Sequence, residues 1–153
     1  MNFWQLLLKD LCSLWGGSKE ERYQLKNLSA FSFPEELATI LTIAQTYFPE
    51  GGYLVNPFAL LLAIREAERG RKGLEFGIMI AKDTDLQIQT CYTARTVINN
   101  LERYLKQVDT PGEDGFIAFL GARYAPLEAD NDPTGLNRHW VKNVTYWYYQ
   151  FRR

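Results

Sequence analysis

Cysteine and histidine are nearly missing from this chain. Only Cys12 and Cys91 carry thiols, and His139 is the single imidazole in 153 residues. Two isolated cysteines make neither a disulfide framework nor a metal cluster, so both read as packed thiols. Without a second histidine or a Cys-x-x-Cys pair, no zinc site and no other metal or cofactor is expected. A Ser-His-Asp triad would have to run through His139, and no Gly-x-Ser-x-Gly elbow accompanies it. Excess charge is lacking too. The formal net charge of -1 argues against a nucleic-acid binder held by bulk electrostatics. No apolar run is long enough to span a bilayer, so no transmembrane segment is expected. A basic start is also missing, Lys9-Asp10 interrupts the first apolar run, and Gly16-Gly17 is a poor cleavage site; no signal peptide is expected. Low-complexity tracts and internal repeats are absent.

What the chain does have is apolar and aromatic residues: 46% hydrophobic, with nine Tyr, nine Phe and four Trp, enough for one domain to bury a core without staples. Residues 2–15 place Phe3, Leu6, Leu7, Leu11, Leu14 and Trp15 on one helical stripe. Their polar face has no basic run to hold lipid, so this helix is expected to dock on the core or on a partner. Gly16-Gly17 is the one candidate boundary, dividing an N-terminal amphipathic helix (1–17) from the main domain (18–153). Ser18-Lys19-Glu20-Glu21 has capping-box spacing, and Ser32-Phe33-Pro34-Glu35 repeats the signal before a helix that stops at Pro49.

The chain centres on residues 55–79. Asn56-Pro57 reads as an N-cap and first turn, and Gly70 as the residue past the last turn, giving a helix from Pro57 to Arg69. Phe58, Leu61, Leu62 and Ile64 form an apolar stripe that leads by four residues to Glu68, placing Glu68 on the buried side. Glu66 falls on a flank with Ala59 and Leu62 and is expected to reach water. A carboxyl at the rim of an apolar face has its pKa raised, as a general acid requires; pairing with Arg65, Arg69 or Arg71 is the plainer alternative. After Arg71-Lys72-Gly73, residues 74–80 are β-prone and glycine-broken, which fits a small hairpin or extended arm. Asp83-Thr84-Asp85 caps a long helix to about Val108, expected to be the buried spine. Pro111-Gly112 breaks it, and Asp114 caps Phe116 to Tyr124. Asn131-Asp132-Pro133 opens a last segment whose Leu136, Trp140, Val144, Trp147, Tyr148 and Phe151 read as core more readily than as a sugar platform.

The run LLLAIREAERGRKGLEFGIM resembles the catalytic helix and following turn of the lysozyme-like superfamily. It shares the Ala-Ile-x-x-x-Glu ending of soluble lytic transglycosylases and the Phe-Gly-Ile that follows the glutamate in bacterial glucosaminidases. More weakly, FIAFLGARYAPLEADNDPTGLNRHWVKNV is similar to the superfamily's late tyrosine segment and its Asp-Pro turn into a final helix. The resemblance implies a mainly α, lysozyme-like domain with a small β arm, acting on peptidoglycan with Glu68 as proton donor. Glu75 would border the cleft and, with Asp132, is available as a second carboxylate. Phe76 and Met79 on the arm, with Tyr124 and Asp132, would contact substrate. The superfamily's Glu-Ser-Gly is Glu68-Arg69-Gly70 here, and the glutamine that often ends Gly-Leu-Met-Gln is Ile80. Those departures favour an alternative, a non-catalytic phage virion component at a tail tip or baseplate, docked through residues 2–15. An active enzyme would reach the wall by way of a virion, a holin or a specialised secretion system.

Overall fold

Between Phe58 and Ile64 every residue is apolar, and a helix apolar on all sides must be enclosed by others. The computed structural model describes residues 25–130 and 132–153. In it, five α-helices do the enclosing: α1 (Leu37–Tyr47), α2 (Pro57–Glu68), α3 (Leu86–Gln107), α4 (Glu113–Tyr124) and α5 (Trp140–Phe151). Short 3-10 turns at Leu28–Ala30, Pro34–Glu36, Met79–Ala81 and Leu136–His139 link them. The fold is mainly α, as the periodicities predict. The expected helix over residues 2–15, the glycine hinge, the capping box at Ser18, Cys12 and the Asn131 cap lie outside the described residues.

Helix α2 is the centre. The Asn56 side chain accepts from Ala59 N at 3.1 Å and Pro57 occupies the first turn, so its start is set locally. It lies most extensively against α5, with further contacts to α1 and α3. Every residue from Pro57 to Glu66 is buried, and each large apolar side chain so enclosed contributes roughly 1.5–3 kcal/mol. This overturns the expected spine: α3 buries Thr90, Ala94, Val97, Leu101 and Tyr104 on one face and leaves Leu105 exposed, whereas α2 has no free face.

Enclosure on all sides also overturns the phasing of the two glutamates. Glu66 has no accessible surface, while Glu68 is half-buried. The stripe argument assumes a polar flank facing water; here that flank meets the segment before α1, where Glu66 accepts the Ser32 backbone N–H and, at 3.1 Å, a guanidinium N–H of Arg69. Its neighbour Arg65 is buried by the same contact. The Arg65 guanidinium holds Glu36 through two bonds of 2.7 and 3.0 Å, lies 3.5 Å over the Phe33 ring, and donates to the carbonyls of Gly70 and Glu75. Buried charges persist when paired and hydrogen-bonded in this way.

No strand occurs among the described residues, and the expected β arm is not one. Leu74 N donates to Arg71 O, Gly77 N to Leu74 O, and Met79–Ala81 completes a chain of tight turns. The reason lies outside the segment. Buried Gln89, in the first turns of α3, reaches the carbonyls of Gly73, Ile78 and Ala81 at 3.2, 3.0 and 2.8 Å, and accepts from Ile78 N at 3.2 Å. Backbone groups that a hairpin would pair with a second strand are satisfied by one amide side chain. The half-buried Cys91 thiol is free and packs against the core.

At the opposite end of α2, the aromatic stripe of α5 joins three helices. The Tyr148 hydroxyl donates to Glu113 at the start of α4 and accepts from Asn56 N at 2.9 Å, while Arg152 grips Glu113 through bonds of 2.7 and 2.6 Å.

Candidate functional site

Glu68 is the last residue of α2, where the chain must turn. Arg69 turns it, in the left-handed region at φ 45. Gly70 is needed for a different reason from the expected one: a Cβ there would lie 1.6 Å from the Leu74 carbonyl oxygen. The loop folds back so tightly that Gly77, at φ +70, comes to rest on the Glu68 carboxyl. A Cβ on Gly77 would be 2.5 Å from Glu68 Oε2. Glycine is the residue that satisfies both the positive φ and the approach.

Across from Gly77, the other carboxyl oxygen is held by α5. The Trp140 indole N–H donates to Glu68 Oε1 at 2.7 Å. Trp140 in turn stacks on Tyr124, the last residue of α4, with ring centroids 5.1 Å apart and planes 27° from parallel. The Tyr124 hydroxyl donates to the Phe76 carbonyl and sits 3.1 Å from Thr93 Oγ1 on α3. Gly121 permits the close approach of α4 and α5, because a Cβ there would be 2.5 Å from Val141 Cγ2 and 3.1 Å from the Trp140 ring. Four elements and one loop therefore converge on a single carboxyl.

That carboxyl forms part of the wall of an open cleft of about 450 Å³, within the usual range for small-ligand sites. Ala67 and Glu68 come from the end of α2, and Asp132, Leu136, Asn137 and His139 from the turn before α5. Trp140 and Asn143 complete the lining. Burial raises the Glu68 pKa from 4.5 to about 7, against the opposing pull of the Trp140 hydrogen bond. Tyr124 is pushed well above its ordinary value by burial and by the nearby Glu68 charge, with Thr93 acting in the other direction, so its hydroxyl stays a donor. A carboxyl that exchanges its proton near neutrality inside a cleft is the chemical equipment of a general acid.

The residues singled out from sequence are distributed unevenly around this cleft. Glu68 and Asp132 both line it, and Tyr124 lies behind Glu68 through its stack on Trp140. Asp132 has a structural duty as well, its two oxygens accepting from Leu136 N and Asn137 N at 2.8 Å each. Glu75 is not brought to the cleft. It is 5% exposed, with Oε1 accepting from Gly73 N at 3.0 Å and Oε2 without a partner, so its carboxyl belongs to the interior of the turn. Phe76 contributes its carbonyl to Tyr124, but its ring is fully buried in the core. Met79 is 53% exposed on its 3-10 turn and is not part of the cleft lining.

Sequence reasoning counts Trp140 only as one member of an apolar stripe, weighs His139 only for a triad, and passes over the amides of Asn137 and Asn143. A signal for Trp140 existed, since a buried indole N–H needs an acceptor and Glu68 was the one acid already argued to be buried. No family model, curated protein or solved structure matches this chain.

Proposed function

We propose that this chain cleaves the glycan strands of peptidoglycan, with Glu68 as general acid, in a domain of the lysozyme-like kind. The observation that carries the reading is the half-buried Glu68 carboxyl, with a pKa of about 7, in the wall of an open cleft. Glu68 gives its proton to the glycosidic oxygen as the bond to the sugar carbon breaks, and the leaving sugar departs as an alcohol. The electron-poor carbon is then captured by a hydroxyl whose proton returns to the Glu68 carboxylate. Asp132 is the only other acid in the described cleft lining, and its two oxygens are occupied by backbone N–H groups. This arrangement favours the lytic course, in which the substrate's own hydroxyl attacks and no second carboxylate is needed. Asn137 and Asn143 offer neutral amides to sugar hydroxyl and acetamido groups, and Met79 lies exposed outside the cleft for a longer strand to contact.

The occupied Asp132 carboxylate also favours a second reading, a non-catalytic virion component that keeps the cleft and assembles through residues 2–15. Release of soluble muropeptides from purified peptidoglycan separates the two. On the enzyme reading, wild type releases them, Glu68→Gln loses at least ~100-fold, and Glu66→Gln, altered on the far side of the helix, remains active. An inactive wild type, or a fully active Glu68→Gln, refutes it.

A further inference from the structure

We propose that Trp140 is a positioning residue that assigns the transferable proton of Glu68 to Oε2. An indole N–H can donate and cannot accept. Its 2.7 Å bond to Oε1 therefore requires a lone pair on that oxygen in both charge states of the carboxyl. When Glu68 is protonated, the hydrogen is favoured on Oε2, because a carbonyl oxygen accepts from the indole N–H better than a carboxylic hydroxyl oxygen does. Oε2 is the oxygen beside the missing Cβ of Gly77.

The donor itself is closely packed. Trp140 is 6% exposed, stacked on Tyr124 and seated against Gly121, and the Tyr124 hydroxyl is tied to the Phe76 carbonyl. Among the described residues, the other titratable and charged groups around Glu68 are Tyr124 from α4 and Asp132 and His139 from the turn before α5. Tyr124 stays neutral and gives its hydrogen to Phe76; Asp132 faces the backbone N–H groups of Leu136 and Asn137. His139 accepts from Arg138 Nε at 3.1 Å, and Arg69 points to Glu66. Among the described residues, Trp140 is thus the side-chain donor that acts directly on the carboxyl. The catalytic meaning of this placement rests on the proposed cleavage, but the placement can be measured without it.

The test is a side-chain NMR titration of Glu68 from pH 4 to 9 in three proteins: wild type, Trp140→Phe, and a protein with Trp140 replaced by benzothienylalanine. The last keeps the ring outline and puts sulfur where the N–H was, so packing loss and donor loss are separated. Removing a donor to a carboxylate disfavours the charged form, and the Glu68 midpoint should rise by about one pH unit in the sulfur analogue. In wild type the Trp140 indole proton should move with the Glu68 midpoint, and in Glu68→Gln it should cease to titrate. A midpoint unchanged or lowered in the sulfur analogue, or an indole proton that ignores pH, overturns the proposal. On peptidoglycan, the alkaline limb of kcat/KM should shift with the NMR midpoint. If the NMR result holds while wild type cleaves no glycan, the cleavage reading falls and the positioning role stands.

Discussion

A carboxyl whose proton is held tightly in the folded state makes stability depend on pH in a direction opposite to that of an ion pair, and Glu68 offers a clean case. Its pKa rises from 4.5 to about 7 on folding, chiefly through burial. Below pH 4.5 both states are protonated and the group contributes nothing to the pH dependence. Between pH 4.5 and 7 the unfolded chain loses the proton while the folded chain keeps it, so stability falls as pH rises; above 7 the loss is complete. At 1.36 kcal/mol per unit the upper limit is about 3.4 kcal/mol, and solvent reaching a half-buried group reduces it to about 2–3 kcal/mol. Glu68→Gln abolishes the titration and leaves an amide oxygen to accept from Trp140. The variant should match wild type at pH 4 and exceed it by about 2–3 kcal/mol at pH 8, or roughly 5–10 °C in Tm for a chain of this size. Urea unfolding of both proteins at half-unit steps of pH is the assay. The quantity to plot is the difference, because every other ionisable group is common to both proteins and cancels. A difference that stays flat with pH, or a variant weaker than wild type at pH 8, would show that Glu68 is held as a paired charge and would refute the burial argument.

Local signals in the sequence hold at the starts of α2 and α3 and fail at Ser32 and Asp114, neither of which caps a helix. The start of α2 needs only Asn56, Pro57 and the Ala59 amide, and the start of α3 only the Asp85 carboxylate accepting from Ile88 N at 2.8 Å. The end of α2 was placed within one residue, although Arg69 took the left-handed conformation and Gly70 served to clear the Leu74 carbonyl. Errors appear where a distant partner decides. Periodicity identifies a buried face only when some face is wet; α2 has none, and the fate of Glu66 hangs on Ser32, 34 residues earlier in the chain. Likewise residues 74–80 carry β-prone side chains, but Gln89 takes up their backbone groups from the next helix. The acid Glu68 was legible because burial follows from its place at the end of an apolar helix. Its partner was not, because contact between α2 and α5 spans 72 residues of sequence.

Three further substitutions test the frame around the site. Gly77→Ala places a methyl group 2.5 Å from Glu68 Oε2 and forces alanine to φ +70; the strain costs about 1–2 kcal/mol, and the displaced carboxyl should rehydrate and titrate below 7. An NMR midpoint that stays near the wild-type value would refute that contact. Tyr148→Phe removes the hydroxyl that bridges Glu113 and Asn56 N and should lower stability by about 1–3 kcal/mol without moving the Glu68 midpoint. Arg65→Met keeps the side-chain stem but removes the guanidinium that holds Glu36 and the carbonyls of Gly70 and Glu75. With Arg65 3% and Glu36 12% exposed, breaking the pair should cost about 3 kcal/mol, the low end for a buried pair, because Glu36 is near enough to the rim to regain water. The double variant Glu36→Gln with Arg65→Met should recover part of that loss, since no uncompensated charge is left beside Phe33. Denaturant unfolding of the two single variants and the double measures the coupling, and a single-variant loss below 1 kcal/mol would mean that the pair carries no weight in holding the loop that brings Gly77 to Glu68.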